Sequence, residues 1–320
     1  MEESSAFPAE SAPSVKLAAY NLQNLGREDN PDGVYERKLE FLAGVLRELD
    51  ADLVAVAEVR EESAFTELAR ALDRYPDSLV SDLTADRRQL QVGLLTRLPV
   101  VARGQWHEFP AVLPGAEGLA SLPFRRSVPW LRVRLPDGST LQAAAVHLKS
   151  GRPEVERVPE SEPPRRRELL GLALATAGRV YEAAGLRCRL DEAMARGDAD
   201  HFAVLGDFND GPESEGVRVV RGALTRQFAS GEGDAELLAV SDAMPAEARV
   251  SYVGWGQRAL LDHILVTREL HARLEAAGVE TRLLEDPPPR GAGRANGYPR
   301  SDHAPVWAVF GFAGPNGGDA

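Results

Sequence analysis

Phe202-Ala203-Val204-Leu205-Gly206-Asp207-Phe208-Asn209 is the stretch on which the reading of the fold turns. Its four leading residues, Phe202–Leu205, make a short buried strand, and polar groups follow at once. The same arrangement recurs along the chain. Val15–Tyr20 runs into Asn21 and then Asn24, and Asp52–Val59 carries Glu58 near its end. Leu141–Leu148 carries His147, Ala259–Val266 carries Asp262, and Ser301-Asp302-His303 stands just before Val306–Phe310. Val92–Thr96 and Trp130–Leu135 also read as strands, and Pro136-Asp137-Gly138 joins the latter to Leu141–Leu148 as a hairpin. Helical patterns lie between them: Tyr35–Leu49, with a stripe of Leu39, Leu42, Leu46 and Leu49, then Phe65–Leu72 and the Ala- and Leu-rich Arg165–Ala184. Strands and helices mix without a break in composition, which predicts one α/β domain.

The 320 residues are 43% hydrophobic and 27% charged, a globular balance that argues against a disordered, collagen-like or coiled-coil chain. Lys and Arg number 37 against 49 Asp and Glu, a formal charge of −12. A broad basic face for a polyanion is therefore not expected, although a local basic strip or a bound metal can still attract phosphate. The single cysteine, Cys188, excludes an intrachain disulfide and a cysteine-based zinc site. The N-terminus lacks the basic and apolar regions of a secretory signal, and no apolar run reaches ~18 residues. The expectation is a cytoplasmic protein, a monomer with no membrane span. Residues 1–13 and 314–320 are expected to be disordered or flexible around a domain at 14–313. Val155–Pro164 and Asp286–Pro299 read as exposed loops.

Each polar residue at a strand end has a plain reading. Asn21 is an ordinary turn former, the Gly206–Gly211 stretch an ordinary turn, and Asp302 an ordinary cap. Glu58 and Asp262 resist that reading, because a carboxylate inside an apolar strand must find a partner or a metal. The chemistry the set suggests is metal-assisted phosphoester hydrolysis. Carboxylate and amide oxygens suit Mg2+ or Mn2+, and no His-Glu-x-x-His run or cysteine cluster points to zinc. Asp207 suits a base for water, while Asn209, His147 and His303 can donate to phosphoryl oxygens. Asp262 can hold His303. His263, next to Asp262 on a strand, should face the other way, and His107, His201 and His271 read as surface or packing residues. Arg165-Arg166-Arg167 reads as a solvated helix start.

Taken in order, these pieces resemble the endonuclease/exonuclease/phosphatase superfamily. The resemblance runs from about Leu17 to Phe310. It rests on Tyr20-Asn21-Leu22-Gln23-Asn24-Leu25, Ala57-Glu58-Val59, Gly93–Pro99, Phe124-Arg125-Arg126, His147-Leu148-Lys149-Ser150, Gly206-Asp207-Phe208-Asn209, Leu261-Asp262-His263 and Ser301-Asp302-His303-Ala304-Pro305. It implies a four-layer α/β/β/α sandwich of two mixed β-sheets flanked by helices, with the site at one end. It also implies roles: Glu58 as main metal ligand, with Asn21 and Asp302 nearby; Asp207 aligning or deprotonating water; Asn209 and His147 on the scissile phosphate. His303, paired with Asp262, would stabilise the pentacovalent state. Asn24, Lys149 and Arg126 would line the substrate side; the spacing Arg126-Ser127-Val128-Pro129 leaves Arg125 as the alternative to Arg126.

Within that superfamily the His-Leu-Lys-Ser element is similar to that of deoxyribonuclease-like bacterial members, which implies nucleic acid as substrate. Leu261-Asp262-His263 stands where inositol polyphosphate 5-phosphatases carry Trp-Cys-Asp-Arg, which counts against a phosphoinositide phosphatase. No secretion signal or apolar hairpin favours a sphingomyelinase, and the charge of −12 counts mildly against an abasic-site enzyme. A silent scaffold would predict losses at the metal or Asp–His positions, and none is evident.

Overall fold

The apolar runs become strands because both of their faces are covered. In the computed structural model, which describes residues 12–30, 33–83, 90–111, 121–223, 236–254, 256–284 and 300–312, the chain opens with β1 (Ser14–Leu25), α1 (Val34–Leu49), β2 (Leu53–Val59), α2 (Glu62–Leu72), β3 (Asp77–Val80) and β4 (Gln91–Thr96). It continues with β5 (Val100–Pro110), β6 (Ser121–Arg134), β7 (Thr140–His147), α3 (Pro164–Ala195), β8 (His201–Asp207), α4 (Glu215–Arg221) and β9 (Leu237–Ala239). It ends with β10 (Tyr252–Gly254), β11 (Gln257–Ala259), β12 (Asp262–Thr267), α5 (Arg268–His271), β13 (Leu274–Val279) and β14 (Val306–Gly311).

Two mixed six-stranded sheets result, ordered β13-β14-β1-β2-β4-β3 and β5-β6-β7-β8-β12-β9, with β10 and β11 as a separate hairpin. β1 runs parallel to β2 and β7 parallel to β8, while β14 returns antiparallel beside β1. Side chains alternate between the faces of a strand. Leu17, Ala19, Leu53, Ala55, Leu141, Ala143, Ala145, Ala203, Leu205, Ile264 and Val266 therefore meet between the sheets. Their neighbours Ala18, Tyr20, Val54 and Val56 pack outward with α1 and α2 residues such as Leu42, Leu46, Phe65 and Leu68. On the second sheet Ala144, Val146, Phe202 and Val204 pack outward on α3 and α4 through Leu186, Leu190, Val217 and Val220. The result is the four-layer sandwich.

The same alternation aims the polar residues. Asn21 continues the series Leu17, Ala19; His147 continues Ala143, Ala145; Asp207 continues Ala203, Leu205; Asp262 precedes Ile264 and Val266. All four fall at one end of the layer between the sheets, where His147 and Asp262 both pair with Asp207.

Several elements differ from the sequence reading. Ala259–Val266 is not one strand: β11 ends at Ala259 and β12 starts at Asp262. The helix expected over Arg165–Ala184 begins at Pro164, whose missing N–H costs nothing there, and runs on to Ala195. Val155–Pro164, expected as an exposed loop, is exposed except at Val158 and Glu162 and holds one helical turn, Val155–Arg157; Glu154, just before it, is buried with its N–H bonded to the Gly171 carbonyl. Pro13 is tied down by the Phe312 N–H. Asp286–Pro299 and 314–320 lie outside the described residues, as do residues 1–11 of the N-terminal segment. Among the described residues no helix is long and apolar enough to cross a membrane.

Gly206, next to Asp207, has φ 140, and a Cβ there would lie 2.0 Å from the Val146 carbonyl oxygen. Gly206→Ala should therefore destabilise the protein by about 2 kcal/mol or more, from strain plus a backbone clash. Gly44→Ala, on the exposed side of α1 with open space around it, should be neutral or stabilise by up to ~1 kcal/mol. Urea midpoints of the two variants check the contrast.

Candidate active site

Glu58 needs more than strand alternation to reach the site, because it follows the outward-facing Val54 and Val56. Its backbone takes φ 62, and the pairing of β2 with β4 shifts between Val56 and Val59. A left-handed residue that is not Gly or Asn is strained, and such strain gathers at functional positions. β1 is irregular beside it: the register with β2 shifts between Asn21 and Leu25, and Gln23 and Asn24 also have positive φ. The Asn24 N–H donates to Glu58 Oε2 at 3.0 Å. The Asn24 side chain accepts from Arg60, so this residue, expected on the substrate side, braces Glu58.

Asn21 is the bridge. Its amide nitrogen donates to Glu58 Oε1 at 3.1 Å and to Asp207 Oδ2 at 2.9 Å. Its oxygen accepts the Gln23 N–H. As a sequence-predicted metal ligand, Asn21 thus presents nitrogen to the two carboxylates. Asp207 is fully buried. It also accepts the Asn209 backbone N–H at 2.7 Å and the Asn209 amide at 3.2 Å. Asn209 takes φ 52, which Asn tolerates, and its amide also reaches the Leu148 carbonyl. Burial, helped by the charge of Asp262, pushes the Asp207 carboxyl up to about 7 against those hydrogen bonds.

His147 Nε2 lies 3.6 Å from Asp207 Oδ2 and 4.0 Å from Glu58 Oε1. Its Nδ1 is buried with no partner among the described residues. Burial, with the charges of Arg126 and His303, holds His147 well below the usual histidine range. His303 goes the other way. Its Nδ1 is 2.6 Å from Asp262 Oδ2, and although burial opposes its charge, Asp262 raises it to about 10. The same Asp262 oxygen accepts the Ser251 hydroxyl at 2.7 Å, and the Ser301 hydroxyl fixes the His303 loop by donating to the Asn21 carbonyl. His303 is therefore cationic at neutral pH while His147 is neutral.

The two arginines are separated. Arg126 donates to the His147 carbonyl at 3.0 Å and feels the charges of Glu58 and Asp207. Arg125 turns to Glu154. Lys149, also expected to meet substrate, spends its ammonium on the carbonyls of its own loop, Ser150 at 2.7 Å and Arg152 at 2.9 Å. Asp302 is half-buried, its charge acts on His303 and Lys38, and its carbonyl accepts the Val253 N–H. His263 does face away, bonding the Asp210 carbonyl with its ring edge-on to Phe208.

Sequence reasoning missed Lys38. This buried lysine on α1 donates to the Arg300 carbonyl at 2.9 Å. Burial lowers it to about 8, against the pull of Glu58 and Asp302. Ser251, Ser301, Arg179 and Glu182 were missed too. The buried side of a helical stripe is the one signal available for the helical residues: Lys38 shares a face with Leu42 and Val45.

For a metal, ligand atoms of Glu58, His147 and Asp207 lie within 4.8 Å of one another, and so do those of Asp207, Asp262 and His303. The second trio is already closed by the His303–Asp262 contact. In the first, Glu58 is the more exposed carboxylate and its oxygens suit a hard divalent ion, whereas Asp207 is buried and already met by three N–H groups, and His147 turns Nε2 toward both carboxylates.

No curated protein matches the chain. Among solved structures, an endonuclease/exonuclease/phosphatase family protein from Bacteroides thetaiotaomicron superposes with a TM-score of 0.61 at 16% identity, covering 94% of this chain and 99% of that one. Truncated Caenorhabditis elegans TDP2 gives 0.59 at 14% identity, covering 93% and 98%. A mannosyl-6-phosphatase of Bacteroides thetaiotaomicron gives 0.58 at 18%, covering 92% and 98%. Likeness at such identities speaks to the fold alone. The family model for the endonuclease/exonuclease/phosphatase family, however, matches residues 18–303. That span includes every site residue from Asn21 to His303, and the chain belongs to the endonuclease/exonuclease/phosphatase family.

Proposed function

We propose that this protein hydrolyses phosphodiesters of nucleic acid by in-line attack of an activated water. The observation that supports this best is the Asn21 amide bridging Glu58 and Asp207, with the His303–Asp262 pair beside them. Glu58 would hold a divalent ion, Mg2+ or Mn2+, with Asp302 nearby; Asn21 would join once its amide turned over. When bound, the ion supplies electrophilic stabilisation of the phosphoryl oxygens. Asp207, with its carboxyl near 7, takes the proton of the attacking water at the pH where a base works best. Arg126 and neutral His147 hold the scissile phosphate, and Asn209 joins them when its amide exchanges the Asp207 or Leu148 oxygen for a phosphoryl oxygen. His303, kept cationic by Asp262, donates to the charge that develops on the pentacovalent state.

The charge of −12 favours a second reading, hydrolysis of a small phosphomonoester or a phospholipid headgroup. A panel of plasmid, single-stranded DNA, RNA, abasic duplex, sphingomyelin and inositol phosphates with Mg2+ or Mn2+ separates the two. Turnover confined to the small or lipid substrates would replace the nucleic-acid reading.

Activity should vanish when bound metal is stripped with EDTA and return with Mg2+ or Mn2+. Glu58→Gln should lose metal affinity, by calorimetric titration, as well as turnover. Asp207→Asn should lower kcat by on the order of 10²–10⁴ at saturating metal while leaving metal affinity nearly intact. A weakened affinity with unchanged kcat would make Asp207 a ligand instead. Asp262→Asn and His303→Ala should each cost ~100-fold or more in kcat, and the double variant should be little worse than His303→Ala, because groups acting as one unit do not add. Multiplicative losses in single-turnover assays would separate the pair.

A further inference from the structure

Two charged residues of α3 that the proposed chemistry does not use are buried among the loops that form the site. Arg179 and Glu182 lie one turn apart on the same face. Glu182 accepts the backbone N–H of Arg125 with one oxygen, at 2.9 Å, and that of Lys149 with the other, at 3.0 Å. Arg179 donates to the Lys149 carbonyl at 3.1 Å and to Asp210 Oδ2 at 3.0 Å. Lys149 is thus held at both its N–H and its carbonyl. Side chains on one helix grip a β6 residue and the segments leaving β7 and β8.

Each gripped residue lies within two positions of a residue of the phosphate side. Arg125 precedes Arg126, Lys149 follows His147 by two, and Asp210 follows Asn209. Arg126 in turn donates to the His147 carbonyl, and the Asn209 amide to the Leu148 carbonyl. The three segments therefore form one hydrogen-bonded unit whose outer support is α3. A buried carboxylate bonded to backbone N–H groups fixes geometry that an apolar side chain of the same size would leave loose.

We propose that Arg179 and Glu182 are positioning residues that set the spacing of Arg126, His147 and Asn209, acting through the backbone at Arg125 and Lys149 and through the Asp210 carboxylate. The inference rests on the proposed reading of those three residues as the phosphate holders. It separates the support of the two halves of the site: Glu58 is held by β1 and β2, and the phosphate side by α3.

The test uses full-length Glu182→Gln, which keeps size but faces one N–H with a donor, and Arg179→Lys, which keeps charge but loses the fork. Thermal melts establish that each is folded. Mn2+ affinity by calorimetry should stay within about twofold of the unaltered protein. Affinity for inorganic phosphate in the presence of Mn2+ should fall by about tenfold, and kcat by on the order of 10–100-fold, the range expected of a misplaced binding group. The imidazole NMR signals of His147 should move in both variants. A folded Glu182→Gln with unchanged phosphate affinity and unchanged His147 signals overturns the inference, and so does an equal loss of Mn2+ and phosphate affinity. If the unaltered protein binds neither Mn2+ nor phosphate, the proposed function fails, while the His147 signals still decide for or against the positioning role.

Discussion

The hydrogen bond from Asn21 to Asp207 joins the two sheets at an end of their shared core that is polar. Asn21 belongs to β1 in the first sheet and Asp207 to β8 in the second. A carboxylate with no access to water must be met by donors, and Asp207 meets three N–H groups supplied by Asn21 and Asn209. Satisfying it requires both sheets to end at the same level. The layer of Leu, Ala and Val behind it sets that level, and the strand alternation sets which residues arrive there. Packing and chemistry thus share one set of coordinates.

Electrostatics then divides similar groups into different states. His147 and His303 are both buried near Asp207. His147 has Arg126 nearby and an unpaired ring nitrogen, so burial leaves it neutral. His303 has Asp262, itself held by Ser251, and carries a charge. In the proposed function the two rings would donate to one phosphate with different strengths; the difference in their charge states is one that neither the residue type nor the burial dictates by itself.

The strands at the centre of each sheet were legible because they are covered on both sides and read as unbroken apolar runs. β5 was not: Val100–Pro110 is an edge strand whose residues are mostly half-buried or exposed, so Arg103, Gln105 and Glu108 interrupt it without marking a loop. β13, Leu-Glu-Ala-Ala-Gly-Val, carries no strand signal of its own and forms on β14. Polar residues at strand ends were legible through their contrast with apolar neighbours. Arg179 and Glu182 had no such contrast, since charged residues abound on helices and the packing of α3 decides which are buried; Lys38 offered only its place on the apolar stripe with Leu42 and Val45. Lys149 shows the converse. Its neighbours in sequence suggested the substrate side, but a loop that closes on itself captured the ammonium.

The pairing of β1 with β14 has a consequence for how the protein comes into being. Leu17 lies opposite Ala308, so the edge of β1 that faces β14 closes a loop of roughly 290 residues. The entropy of that closure is about 5 kcal/mol, set against few local contacts, so this pairing belongs late in folding. During synthesis β1 and β2 emerge early and can pair, but that edge waits for the last strand. The segment that enters with β14 brings Ser301, Asp302 and His303. His303 is therefore made 245 residues after Glu58 (303 − 58), and a chain that stops before that point lacks the charged histidine that pairs with Asp262.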